Sequence, residues 1–295
     1  MPKTIYLLDG HALAYRAFFA LMASSLRFRT SSGEPTAGIY GFANILLRII
    51  EKEKPEYLAV AFDTGKTFRN KMYADYKATR AKMPEELIPQ IKRIRELVDS
   101  FNIPRLEVQG YEADDVLGTV AKKAVKEGYG VRIITGDRDL LQLVNDRIIV
   151  SLSGKKLSDA KDYLPEDVEA YLGVSPNQVV DYKALVGDTS DNIPGVKGVG
   201  QKTAVSLLKQ YKNLDEIYAH LDEFPERVRK LLEAGKEKAY LSFRLAEIHT
   251  DLDIKVDIDK AHTDNVDPNR VIELFQQLEF GSLISRIENM MGITG

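Results

Sequence analysis

Three short apolar runs, each ending in an aspartate, set the terms on which this 295-residue chain can fold. KTIYLLD (3–9), YLAVAFD (57–63) and VRIITGD (131–137) share that form, the last with a glycine before the acid. Helical stripes lie between them: Ile39, Phe42, Leu46 and Ile49 in one, Val116, Leu117, Val120, Ala121 and Ala124 in another. Strands alternating with helices predict an α/β fold, a mostly parallel central sheet flanked by helices on both faces. Ligands of such sheets bind outside the carboxyl ends of the strands. Three strands that each deliver an aspartate to that end therefore predict one shared site.

Beyond about Pro165 the strand signal fades. PEDVEAYLGV, NQVVDYKALVG, GQKTAVSLLKQY, LDEIYAHL and PNRVIELFQQLEF read as helices joined by turns rich in Gly, Pro or Asn. A boundary near residue 165 divides an α/β core, 1–165, from a helical region, 166–295. The N-terminal apolar run is too short for a signal peptide or membrane span, and the chain is expected to be cytoplasmic, away from membranes.

Asp9, Asp63, Glu112, Asp114, Asp115, Asp137 and Asp139 gather around the predicted strand ends, with Asp188 and Asp191 further on. For any one of them a helix N-cap is the simpler explanation. Their shared placement favours a site, and so many carboxylates need a counter-charge. There is no cysteine, so thiolate sites are excluded; hard oxygen donors in this number suit two Mg²⁺ or Mn²⁺ ions, roughly 3.5–4 Å apart in two-metal hydrolases. On a helix Glu112 and Asp115 share a face while Asp114 points away, so all three serve one site only if the segment begins outside regular helix.

The net charge of −3 hides an uneven distribution. From Thr64 to Lys82, Lys66, Arg69, Lys71, Lys77, Arg80 and Lys82 stand against one acid, Asp75, interleaved with Phe68, Tyr73 and Tyr76. That mixture suits phosphate neutralisation and base stacking, and its position directly after Asp63 favours nucleic-acid contact over a merely solvated loop. In GDTSDNIPGVKGVGQKTA (187–204), Gly195 and Gly200 have the glycine spacing of a P-loop, but the lysine, Lys202, comes one place late and no strand precedes the turn. A helix, a glycine turn with Lys197 and Gly198, and a second helix from near Gln201 suit a grip on a DNA backbone through N–H groups. No GxSxG is present, and the four histidines are scattered.

The motifs YLLDGHALAYRAF, YGFAN, FRNKMYADYKATR, YEADDVLGTVA, TGDRDLLQLV, DYKALVGDTSDNIPGVKGVGQKTA and LEFGSL, in that order and over nearly the whole chain, resemble the 5′ nuclease domain of bacterial DNA polymerase I, within the flap endonuclease and 5′-3′ exonuclease superfamily. The resemblance implies a PIN-like nuclease core and a metal-dependent phosphodiesterase that cuts DNA at 5′ ends and at junctions between a single-stranded 5′ flap and duplex. It implies that all nine carboxylates surround two divalent ions. Asp9, Asp63, Glu112, Asp114, Asp115 and Asp137 would be the nearer set; Asp139, Asp188 and Asp191 would hold a second or weaker position. Arg16, Tyr76, Lys77 and Arg80 would lie by the scissile phosphate, in or beside an arch-like segment, 64–84, where Arg69 also meets DNA. Gly195, Lys197, Gly198, Gly200 and Lys202 would form a helix-hairpin-helix type element on the duplex, with a cation such as K⁺ on its carbonyls. The expected molecule is a monomer, free-standing or the N-terminal part of a longer DNA polymerase, without polymerase activity of its own.

Three rivals are weaker. A PIN-type ribonuclease needs neither the basic segment nor the glycine turn. A flap-binding module without catalysis leaves the acid cluster an unexplained electrostatic burden. A haloacid-dehalogenase phosphatase lacks its DxD start, since Gly10 and His11 follow Asp9.

Overall fold

The computed structural model describes residues 3–22, 27–154 and 160–293. Its centre is a six-stranded sheet of order β3-β2-β1-β4-β5-β6. The strands are β1 (Thr4–Asp9), β2 (Tyr57–Ala61), β3 (Arg105–Leu106), β4 (Gly130–Thr135), β5 (Ile148–Leu152) and β6 (Lys161–Tyr163). The first five are parallel, and only β6 runs antiparallel, along β5. The three aspartate-ending runs are thus neighbours, in the order β2, β1, β4.

Side chains alternate across the sheet, as the two-residue period of a strand requires. Ile5, Leu7, Ala59, Val131 and Ile133 face one core, built on helix α5 (Ala113–Lys126) and the helices that follow the sheet. Tyr6, Leu8, Leu58, Val60 and Ile134 face the other, built on α1 (Gly10–Leu21), α2 (Ala37–Glu53) and α4 (Leu87–Ser100). Both faces are dry, which is why the strands read as continuous apolar runs. The short α3 (Phe68–Met72) lies in the basic segment, whose remainder up to Lys82 is turns.

The helical region contains α6 (Pro165–Leu172), α7 (Val179–Val186), α8 (Gln201–Gln210), α9 (Leu214–Ala219) and α10 (Glu226–Ala246). The last two helices, α11 (Pro268–Gln277) and α12 (Gly281–Met291), return to the second core: Val271, Phe275, Leu283 and Ile287 pack there with residues of α2 and α4. The tail of the helical region is therefore structurally part of the sheet's far face.

Candidate metal centre and nucleic-acid interface

The site begins where β1 becomes α1. Asp9 is the N-cap of α1, accepting the Ala12 N–H at 3.0 Å, and its other oxygen accepts the Thr135 hydroxyl at 2.8 Å. Gly10 must be glycine here, since a Cβ would stand 2.4 Å from the Phe62 ring. Past β2, Asp63 accepts the Ala113 N–H at the start of α5 at 2.8 Å. Two helix N-termini, those of α1 and α5, thus point into the same acidic focus and favour negative charge there. The capping and site readings of these aspartates hold together.

Glu112, Asp114 and Asp115 diverge from the first turn of α5. Glu112 is its N-cap, outside helical geometry, and Asp115 reaches back to accept the Glu112 N–H at 3.0 Å. Asp114 feels chiefly Asp137 and Asp9, and burial together with those two carboxylates holds its proton well above the usual range. Asp9 behaves alike: burial pushes it up to about 7, with Asp63 and Asp137 adding to the rise. Burial and Asp137 also push Asp139 up to about 6. Carboxylates that resist ionising because they are buried together make a donor set that a hard divalent cation fits. Asp9 and Asp114 carry that fit, with the charges of Asp63 and Asp137 beside them.

The other candidates are held by the protein's own cations. Glu112 accepts Lys77 Nζ at 2.9 Å and the Tyr76 hydroxyl at 3.1 Å. Asp191 accepts Arg80 Nε at 3.0 Å, with Lys77 Nζ 3.7 Å away. Burial alone would lower the Lys77 pKa, but Glu112 and Asp191 outweigh it and raise it. Burial pushes Asp188 up, yet Lys183 and Ser190 outweigh that and hold it near 2. Among the described residues no three His, Cys, Asp or Glu side chains close around a single point as a ready-made metal cage.

Two expected roles meet a different geometry. Arg69, read as a DNA contact, is 2% exposed. Its guanidinium pairs with both oxygens of Asp115 at 2.7 and 2.8 Å and donates to the Leu245 and Glu247 carbonyls. Asp115, read as a metal ligand, is 0% exposed and also accepts the His249 N–H. A buried arginine whose donors are engaged reaches no phosphate, so Arg69 and Asp115 together tie the basic segment to α5 and to the end of α10. Tyr76 is likewise buried, with its ring unavailable for stacking and its hydroxyl on Glu112. Arg16 lies half-buried on α1.

Beyond the acids, α7 and α8 are joined by the glycine turn. Gly187, Gly195 and Gly198 have φ of 75°, 61° and 90°. At Gly195 a Cβ would stand 2.3 Å from the Gly187 nitrogen, so two backbone segments cross there with room for hydrogen only. Gly195 is buried, whereas Lys197, Gly198, Gly200 and Lys202 are exposed at the entrance to α8. The α8 N-cap, Gly200, offers no side-chain cap, so the first N–H groups of that exposed helix start are open to water or a ligand. A cleft of about 1050 Å³ runs from Asp137 and Asp139 past Lys183 and Asp188 to Gly200 and Gln201. Asp137, Asp139 and Asp188 thus share one space with the start of α8.

Two residues that the sequence reading missed complete this wall. Thr135 accepts the Asp137 N–H at 2.9 Å while donating to Asp9, coupling the ends of β1 and β4. Lys183 donates to Asp139 and, at 2.7 Å, to Asp188. The available signal was a lysine inside the otherwise apolar run YKALV, one and a half turns ahead of an aspartate.

Known proteins place this geometry in a family. A model described as 5′-3′ exonuclease, N-terminal resolvase-like domain, matches residues 4–173, and one described as 5′-3′ exonuclease, C-terminal SAM fold, matches 174–269. DNA polymerase I of Chloroflexus aurantiacus is 47% identical over 98% of this chain and 31% of its own length; that of Bacillus subtilis is 43% identical over 97% and 32%. The chain spans about a third of the length of these relatives. A structure of T5 5′-exonuclease with divalent zinc bound superposes with a TM-score of 0.68 at 21% identity, over 93% of this chain and 98% of that one. The catalytic core of Rad2 in complex with DNA substrate gives 0.57 at 16%, over 94% and 87%. These structures share the fold: a mostly parallel sheet flanked by helices, followed by a helical region. From the aspartates at three neighbouring strand ends to the glycine turn across the cleft, the chain belongs to the 5′-3′ exonuclease family.

Proposed function

We propose that the chain hydrolyses DNA phosphodiester bonds at 5′ ends and at the junction where a 5′ flap leaves duplex, as a cytoplasmic monomeric unit that makes no DNA itself. The observation that carries this reading is a cleft that runs from Asp137 and Asp139, past Asp188, to the exposed start of α8 at Gly200 and Gln201. A backbone gripped at the start of α8 lies in the same space as Asp137, Asp139 and Asp188.

In this reading Asp9, Asp63, Asp114 and Asp137 hold one divalent ion, with Glu112 beside them, and Asp139, Asp188 and Asp191 hold a second, each Mg²⁺ or Mn²⁺. Such ions supply Lewis-acid stabilisation of phosphoryl oxygens and a more acidic water. Asp115 acts through Arg69, fixing the first turn of α5 so that Asp114 stands near Asp137 and Asp9. Lys77 and Arg80 offset charge growing on the non-bridging oxygens, with Arg16 further along α1. Buried Tyr76 orients Glu112. Lys197, Lys202 and the N–H groups near Gly198 and Gly200 hold the duplex backbone without reading sequence, with K⁺ on the turn's carbonyls.

The test is cleavage of a 5′-labelled flap duplex with Mg²⁺, with EDTA, and by Asp114→Asn. The expected result is metal-dependent cutting near the junction and a loss on the order of 10³-fold in the variant, which still binds the flap. Flap binding without cutting in both Mg²⁺ and Mn²⁺ would sink the proposal.

A further inference from the structure

The two halves of the acid set are neutralised differently. In one, the charges acting on Asp9 are Asp63 and Asp137, and those acting on Asp114 are chiefly Asp137 and Asp9. In the other, protein cations already stand between the carboxylates. Lys183, in the last turn of α7, bridges Asp139, from the turn after β4, to Asp188, from the loop after α7. Its side chain is only 12% exposed, between the buried neighbours Tyr182 and Ala184. A buried ammonium in that position is fixed by its helix and cannot drift into solvent as a surface lysine would.

We infer that Lys183 is a built-in counter-ion that occupies the place of a cation between Asp139 and Asp188. The inference rests on the metal-centre reading above. A divalent ion entering this half must displace or share that lysine, whereas one entering the half around Asp9 and Asp114 displaces no protein cation from those two carboxylates. The second half therefore fills last and binds more weakly, and Lys183 sets the difference. It is a positioning residue: without metal it keeps two like charges together across two parts of the chain, and with metal it competes for them.

The experiment is a calorimetric titration of the 295-residue chain with MnCl2 in the absence of DNA, alongside its melting temperature with and without Mn²⁺. Wild type is expected to show a stronger and a weaker class of site. In Lys183→Met the weaker class should tighten about tenfold, a typical coupling between competing ligands, with the stronger class unmoved. The metal-free melting temperature should fall, and Mn²⁺ should restore more of it than it adds to wild type. Lys183→Arg, which keeps the charge, should leave the weaker class weak, and it tests the inference even if Lys183→Met fails to fold. A weaker class that is unchanged or lost in Lys183→Met, or tightened in Lys183→Arg, overturns the inference alone. A wild type that takes up no Mn²⁺ overturns the metal-centre reading, and the role of Lys183 with it.

Discussion

The acid centre and the glycine turn are built by opposite means. At the acid end, side chains from β1, β2, β4 and α5 meet because the sheet places three distant strand ends side by side. At the other end everything lies within residues 187–203, and the backbone does the shaping, through positive φ at three glycines and a crossing too tight for a Cβ. The acid end concentrates charge that is unfavourable without a counter-ion. The turn end concentrates conformational restriction and leaves the start of α8 without a side-chain cap. Chemistry on a phosphate needs the first, and holding a backbone of any sequence needs only the second.

Substitutions can break or sharpen this contrast. The largest effect on stability is expected at the acid end, from Asp115→Ala. It strands the Arg69 guanidinium in a buried site and should lower unfolding free energy by about 3–5 kcal/mol in urea titration. Adding Arg69→Met should recover part of that loss; if it recovers none, the pair is not what holds α5 in place.

A smaller, pH-dependent effect is expected on the turn side. Asp181, in α7, accepts the Leu214 N–H at 2.8 Å, and burial pushes its carboxyl up to about 6. Below about pH 3 folded and unfolded chains both hold this proton and the group is neutral to stability. As the pH climbs from 3 through 6 the unfolded chain releases it first, so the native state loses about 2–3 kcal/mol, and the loss stays constant above that range. Asp181→Asn keeps the acceptor and cannot ionise. It should match wild type near pH 3 and exceed it by about 2–3 kcal/mol at pH 7.5, and an equal gap at both would show that ionisation is not the cause.

The smallest effect belongs to the exposed turn lysines. Lys197→Ala and Lys202→Ala should each weaken duplex binding modestly and lower the slope of log affinity against log salt by about 1. Fluorescence anisotropy across a KCl series measures it, and an unchanged slope would move the duplex off this turn.

The same contrast explains what could be read from the chain beforehand. The turn is local, so its glycines and the start of α8 at Gln201 were visible in one short stretch. The strand-end aspartates were visible because a sheet buried on both faces leaves continuous apolar runs. Arg69 was misleading because a cation in a basic run reads as solvated. Its partners lie far away: Asp115 is 46 residues on, and the Leu245 carbonyl 176. Helix α10 escaped notice because lysines and glutamates crowd its exposed side and Gly235 interrupts its buried stripe of Leu232, Ala239 and Leu245. The divergence of Glu112, Asp114 and Asp115 followed from helical geometry, but where each would point depended on neighbours that no spacing reveals.

The hydrogen bond from Thr135 to Asp9 has a consequence for how the molecule is made. Asp9 is synthesised 126 residues ahead of Thr135, and β1 lies between β2 and β4 in the sheet. On a ribosome the first aspartate waits until β4 has emerged and taken its place in a parallel sheet, a slow pairing by its topology. Asp188 and Lys183 come later still. The acid centre is therefore assembled only after Asp188 and Asp191 have left the exit tunnel, and until then a growing chain carries its first acids without their geometry.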